Sequence, residues 1–210
     1  MPLITILFAL VWLLVPAVGL SGRQSPDQSR CTLTVARSPA IRGLQLGMNF
    51  DQVFALFPES SANRNTVTSA AGDPNYGVAR LYFQPPFLPS PAKERFAGID
   101  SIQITLFDGS VTELRITYVG SNSNPAKGPF WRSVDDFITK LSEAFALPPP
   151  KEWLERSPLT KTLQCSGFTL AASISEGTGS IALRTTTTYE DTVRQRALAD
   201  QERRRLEFKP

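Results

Sequence analysis

The acidic side chains are the only residues of this chain that could support catalysis near neutral pH. The 210 residues include no histidine, which is the usual general base near neutral pH and the commonest metal ligand. Mechanisms that need an imidazole are therefore excluded. What is left is a pair of carboxyl groups across a cleft, one with a raised pKa, as in a glycosidase. The candidates are Asp51, Asp108, Asp135, Asp136, Glu152 and Glu155.

Most of these acidic residues have a structural explanation in the element predicted around them. Asp51, Asp135 and Asp136 fall in the first turns of predicted helices, where the helix dipole favours a negative charge. Asp108 precedes Gly109 in a predicted turn. We therefore expect no catalytic residue, no metal site and no cofactor. A carboxylate-based hydrolase of envelope glycans is the alternative.

The first predicted helix follows a turn that contains two glycines. Gly43 and Gly47 allow positive φ angles before Asn49. The side chain of Asn49 can accept a hydrogen bond from the amide of Gln52, and the side chain of Gln52 can return one, which makes a capping box. Before Pro58 ends the helix, apolar residues recur at intervals of three and four, at Phe50, Val53, Phe54 and Phe57.

The stretch from Gly43 to Val53 resembles the start of a known structural unit. Its pattern, Gly-Leu-x-Leu-Gly-Met followed by a capped helix, is similar to that of the SmpA/OmlA (BamE) outer-membrane assembly lipoproteins and of the beta-lactamase-inhibitor-protein-like domains. The resemblance implies a helix followed by an antiparallel sheet, in a protein that binds other proteins without catalysing a reaction. It does not extend to the lipid anchor, because the residues before Cys31 form no lipobox.

The N-terminal residues predict export. An uncharged apolar run extends from Leu3 to Leu20, and Ala17-Val18-Gly19 offers small residues to signal peptidase. We interpret residues 1–20 as a signal peptide, although no basic residue precedes the run. The alternative is a single-pass anchor through residues 3–20, since the run reaches the lower limit of a membrane span. Either way, the bulk of the chain is expected in the bacterial periplasm or cell envelope.

Cys31 and Cys165 are the only cysteines, so they allow a single disulfide pairing. Disulfides persist outside the cytoplasm. Alternation predicts a strand over Cys31–Val35 and another around Cys165, and both place the cysteine on the inward face. A disulfide between them is therefore expected, with two unpaired buried thiols as the alternative.

The middle of the chain predicts a strand and a hairpin. Val78–Phe83 alternates, with Leu81 and Phe83 on one face. Ile99–Phe107 and Val111–Val119 form the hairpin. Its inward residues share a face only if the loop length is odd, so a three-residue loop is predicted. The inward residues are Ile102, Ile104, Leu114 and Ile116, and the loop is Asp108-Gly109-Ser110.

The second half of the chain repeats the order of helix and then strands. Ser133 is predicted to cap a helix whose apolar stripe ends before Pro148-Pro149-Pro150. A two-residue turn at Ser166-Gly167 then pairs Cys165 with Phe168, and Leu163 with Leu170 by the same register. Residue types match at every position between Asn49-Phe50-Asp51-Gln52-Val53-Phe54 and Ser133-Val134-Asp135-Asp136-Phe137-Ile138, which we interpret as an internal repeat.

These patterns together predict an α+β fold. We expect two related halves, each a helix packed on a small antiparallel sheet, followed by a solvated C-terminal helix. The predicted organisation is a signal peptide or anchor (1–20), a flexible stretch (21–30), a first half (31–120), a linker (121–130), a second half (131–187) and a charged helix (188–210).

The expected function is binding to an unidentified envelope protein. A net charge of +3 is too small to indicate nucleic acid, and membrane contact is expected only through residues 3–20 if they are not cleaved. Four prolines between Gln84 and Pro91 exclude a central strand and predict a loop. We predict Tyr82, Phe87 and Leu88 as contact residues. An anchored structural protein is a further alternative.

Overall fold

The computed structural model describes residues 31–58, 78–120 and 131–207. The predicted signal peptide or anchor, the flexible stretch 21–30 and the linker 121–130 lie outside the described residues. Four α-helices are present in the described part of the chain: α1 (Phe50–Ala55), α2 (Ala92–Arg95), α3 (Val134–Phe145) and α4 (Thr187–Glu207). The seven strands of that part are β1 (Val78–Phe83), β2 (Ile99–Phe107), β3 (Ser110–Tyr118), β4 (Leu154–Ser157), β5 (Thr160–Cys165), β6 (Phe168–Ser175) and β7 (Thr178–Thr185).

All seven strands belong to one antiparallel sheet, in the order β1-β2-β3-β7-β6-β5-β4. The expected α+β class is confirmed, but one sheet replaces the two small sheets that were predicted. The two groups of strands join where β3 pairs with β7, with Ile116 opposite Ile181. Both side chains are fully buried, so the hydrophobic core is continuous across this junction.

The β2–β3 hairpin has the predicted facing residues but a different loop. Ile102 pairs with Ile116 and Ile104 with Leu114, as expected. The loop is a two-residue turn, Asp108-Gly109, in which both residues have positive φ angles of 47° and 78°. The extra residue that the register needs is Thr112, which is bulged out of the pairing. The register needs one residue more than a two-residue turn provides, and a bulge in β3 supplies that residue.

The N-terminal stretch is fastened to β5 by the disulfide but is not a strand. Cys31 and Cys165 are bonded, with their Cα atoms 4.8 Å apart, which confirms the predicted pairing. The predicted strand over Cys31–Val35 is wrong, because only a single parallel bridge joins Thr34 to Ser166. A 3₁₀ turn then begins at Val35. Cys31 and Val35 are buried, as the alternation of apolar residues predicted. The segment that carries them, however, is not part of a described strand.

Helix α1 has the predicted cap and contacts the first strand through aromatic rings. The Asn49 side chain accepts a hydrogen bond from the Gln52 amide, and the Asn49 amide donates one to the Gln52 side chain, both at 2.8 Å. The ring of Phe57, just beyond the helix, stacks on Phe83 of β1 with centroids 3.8 Å apart. It also stacks on Phe96 at 4.7 Å. These contacts hold the inward face of β1.

Helix α3 begins as predicted but ends earlier than the prolines. The Ser133 hydroxyl accepts a hydrogen bond from the Asp136 amide at 3.1 Å. The helix stops at Phe145 because Ala146 adopts a left-handed conformation, with φ at 52°. Asp135 in the first turn forms an ion pair with Lys161 of β5 at 2.6 Å, so the start of α3 is tied to the sheet.

Tyr118, at the end of β3, packs against α3. Its ring meets Phe137 edge to face, with centroids 5.7 Å apart. Burial raises the pKa of Tyr118 to about 12, and the nearby Arg42 opposes this shift. Strand β3 therefore contacts helix α3 at this residue.

The C-terminal helix α4 exposes its side chains wherever the structure describes them. Leu198 and Leu206 are each 58% exposed, which agrees with a solvated helix. Its described contact with the sheet is Arg194, whose guanidinium lies 5.4 Å from the centre of the Phe107 ring. In the part of the chain that the structure describes, no helix has both the length and the apolar content to cross a membrane.

Candidate protein-binding surface

A loop rich in proline, residues 84–91, presents Phe87 to solvent. Pro85–Phe87 forms a 3₁₀ turn, in which the Leu88 amide donates a hydrogen bond to the Pro85 carbonyl at 3.1 Å. Pro85 and Leu88 are buried on either side of the turn, whereas the Phe87 side chain is 79% exposed. Proline restricts the backbone before any partner arrives. The two buried residues therefore anchor the turn on both sides of the exposed aromatic ring.

The three predicted contact residues have different environments. Phe87 is 79% exposed and Tyr82, on the outward side of β1, is 40% exposed. Leu88 is only 7% exposed and belongs to the core. Its prediction as a contact residue is therefore wrong, because an apolar residue in a loop can serve as the anchor of that loop instead of facing solvent. Tyr82 and Phe87 stay as predicted contact residues.

A hollow that was not predicted from the sequence lies on the outward face of the first three strands. Its volume is about 290 Å³. Polar side chains from β1, β2 and β3 line it: Arg80, Tyr82, Gln103, Thr105, Glu113 and Arg115. Tyr82 is opposite Gln103, which is opposite Arg115. The signal was present in the sequence, since these residues are the polar members of the alternation that identified the strands.

The charges on this outward face are unevenly compensated. Glu113 accepts a hydrogen bond from Arg184 of β7 at 2.9 Å and lies 3.6 Å from Arg115. Arg80 has no carboxylate within 4 Å among the described residues. Arg115 and Arg184 thus share one glutamate, whereas Arg80, the arginine nearest the edge of the sheet, has no acidic partner among the described residues.

The outer backbone edge of β1 has no pairing strand among residues 31–58, 78–120 and 131–207. β1 is the first strand of the sheet, and its pairing with β2 is regular over all six residues. Beyond that pairing, no backbone group in residues 78–83 forms a hydrogen bond with another described residue. The row of unpaired N–H and C=O groups on such an edge can pair with another chain.

The edge at the other end of the sheet is interrupted. β4 has four residues, all exposed, and its pairing with β5 shifts at Arg156. Pro158 follows the strand directly. A short strand, a bulge, charged side chains and proline are the features by which proteins protect sheet edges from pairing. β4 was not predicted, because these same features weaken a strand pattern.

Three of the candidate acidic residues have structural surroundings that account for them. Asp135 is engaged by Lys161, Asp108 lies in the β2–β3 turn, and Glu155 lies opposite Lys161 on β4. The described residues contain no group of three or more acidic residues or cysteines arranged to hold a metal ion. No observation places two of these carboxyl groups across a cleft.

Comparison with known proteins adds no relative. No family model matches the chain, and neither the curated proteins nor the solved structures contain a match.

Proposed function

We propose that this chain is a non-enzymatic exported protein of the bacterial cell envelope that binds another protein through Phe87 and Tyr82. The observation that carries the proposal is the exposure of the Phe87 ring, 79%, on a turn that the buried residues Pro85 and Leu88 hold in place. Aromatic rings are enriched among the residues that dominate binding energy. A loop already held in one conformation loses little entropy on binding.

The disulfide supports the proposed location. The bond between Cys31 and Cys165 fits a compartment outside the cytoplasm, where such bonds persist. The apolar run before residue 21 is the export signal we expect. The resemblance of Gly43–Val53 to envelope proteins that bind other proteins points to the same class of function.

We also propose that the two halves descend from one repeated unit of helix and sheet. Support comes from the helix caps, since Asn49 and Ser133 each accept a hydrogen bond from the amide three residues later. Antiparallel strands follow both α1 and α3 in the chain. The loop that exposes Phe87 lies in the first half, so binding is assigned to that half.

The test is photocrosslinking in the native envelope followed by identification of the captured protein. A photoreactive residue at Gln84, which is exposed and lies two residues after Tyr82 in the chain, reports contact without altering the proposed anchors. We expect one predominant partner, and we expect Phe87→Ala combined with Tyr82→Ala to reduce its capture by about tenfold or more, since each lost aromatic anchor can cost over 1 kcal/mol.

The matched control is Leu154→Ala combined with Leu159→Ala. These leucines are 43% and 53% exposed and lie at the opposite end of the sheet. The control should leave capture at Gln84 unchanged. Equal capture by the Phe87→Ala, Tyr82→Ala variant and the parent would refute the proposed binding surface.

A further inference from the structure

The outer edge of β1 differs from that of β4 in the features that block strand pairing. β1 has six residues in regular pairing, no bulge and no proline. Its single charged residue is Arg80, whose exposed side chain faces outward and has no acidic partner within 4 Å among the described residues. An edge of this kind is suited to accept a further strand, because main-chain hydrogen bonds supply affinity and side chains supply specificity.

We propose that the β1 edge binds an extended segment of the partner protein as an eighth strand, with an acidic side chain of that segment opposite Arg80. The inference rests on the proposed function for the existence of a partner, and it specifies the chemistry of the segment that is bound. Opposite charges on directly facing residues of neighbouring strands stabilise the pairing.

The side chains of β1 set a pattern for the incoming segment. Arg80 and Tyr82 are exposed on the outward side, and Leu81 is buried on the inward side. The bound segment therefore carries an acidic residue opposite Arg80 and an aromatic or apolar residue opposite Tyr82. Between these two positions it carries an apolar residue that extends the core beside Leu81.

Charge complementarity favours a different protein over a second copy of this chain. β1 contains no Asp or Glu, so a copy that paired through its own β1 would bring no carboxylate from that strand to Arg80. Such a pair would also place two copies of the same uncompensated arginine on one face. An acidic segment would instead neutralise the positive charge of Arg80.

The probe is a capped heptapeptide, Thr-Tyr-Val-Glu-Val-Tyr-Thr, titrated into the full mature chain. Its symmetric pattern presents the glutamate correctly in parallel or antiparallel pairing. Backbone amide shifts measured by NMR should saturate, and the largest should lie in residues 78–83. Replacing the peptide glutamate by lysine should weaken binding about five- to tenfold, since an attractive pair becomes a repulsive one.

Charge exchange identifies the facing residue. Arg80→Glu should reverse the order of the two affinities, so that the lysine peptide binds more tightly than the glutamate peptide. The control is Arg156→Glu, which makes the same charge change at the β4 edge and should leave the original order intact. The peptide N-methylated at its two Val and two Tyr residues should not bind, because strand pairing needs those amides.

Several results would overturn the proposal. These are the absence of saturable shifts in residues 78–83, equal binding of the N-methylated peptide, or an unchanged order in Arg80→Glu. A concentration-dependent dimer abolished by Ala79→Pro would assign the edge to a second copy. If the peptide fails while the Phe87→Ala, Tyr82→Ala variant still loses its crosslink, the proposed function stands and only strand addition is refuted.

Discussion

The β1 and β4 ends of the sheet both expose large apolar side chains but differ in how they are held. Tyr82 and Phe87 near β1 are 40% and 79% exposed, and Leu154 and Leu159 around β4 are 43% and 53% exposed. Exposure alone therefore does not distinguish a binding surface from ordinary solvent-facing residues. The backbone does, because the β1 edge is regular and unpaired within the described part of the chain, whereas the β4 edge is short and bulged.

The means of fastening also differ between the two ends. β5, the neighbour of β4, is bonded covalently to Cys31 and ion-paired through Lys161 to α3. β1 is held from within by the stack of Phe57 on Phe83. The covalently fastened end has the protected edge, and the end held by the aromatic stack has the edge that no described strand pairs with. Four measurements can sharpen or break this contrast.

Removal of the disulfide should have the largest effect and should act mainly at the β5 end. The bond joins residues separated by 134 positions, so the chain-entropy model gives a loss of about 5 kcal/mol in the free energy of unfolding. Urea denaturation of Cys31→Ala combined with Cys165→Ala measures this loss. Hydrogen exchange should accelerate more in β5 than in β1, and equal acceleration in both strands would contradict the contrast.

Truncation of the aromatic stack should loosen the opposite end. Phe57→Ala removes a ring that is 1% exposed and leaves a cavity beside Phe83, at an expected cost of about 3 to 4 kcal/mol. Hydrogen exchange should accelerate first in β1. Phe87→Ala is the control, since removing an exposed ring should change stability by less than about 0.5 kcal/mol.

High pH should weaken the contact between β3 and α3. Burial raises the pKa of Tyr118 from 10.0 to about 12, so the folded protein favours the neutral phenol. The resulting stability is complete below pH 10 and is lost as the pH rises towards 12, by about 2 to 3 kcal/mol. Unfolding free energies measured across this range should fall less steeply in Tyr118→Phe. Parallel slopes in the two proteins would contradict the assignment.

Removal of charge from the protected edge should have the smallest effect on stability. Glu155→Val combined with Arg156→Val should change the free energy of unfolding by less than about 0.5 kcal/mol. It should nevertheless promote concentration-dependent association, seen by light scattering, because edge charges oppose intermolecular pairing. Lys140→Val combined with Glu143→Val removes an exposed ion pair from α3 and should not have this consequence.

Local signals in the sequence predicted the elements better than their assembly. The capping box at Asn49, the bounds of β1 and the pairing of Leu163 with Leu170 follow from residues close in sequence, and all are observed. The pairing of β3 with β7 joins residues almost 70 positions apart, and no turn between them fixes a register. One sheet instead of two could therefore not be inferred from alternation alone.

The candidate site was only partly predictable for a similar reason. Phe87 and Leu88 are adjacent apolar residues in one loop, and composition cannot say which of them is buried. Arg80 was not among the predicted site residues, because a single arginine on a strand carries no local signal of binding. Its proposed role depends on the lack of a carboxylate near it among the described residues, which is a property of the folded surface and not of the local sequence.

The long separation of the two cysteines has a consequence for the biogenesis of the protein. Synthesis proceeds from the N-terminus, so Cys31 emerges 134 residues before the thiol with which it must combine. The chain contains no other cysteine, so every incorrect bond in the meantime has to form with a different molecule. Oxidation is therefore a late event that can only follow the arrival of β5, and the first thiol must survive until then in its reduced state or on an exchangeable carrier.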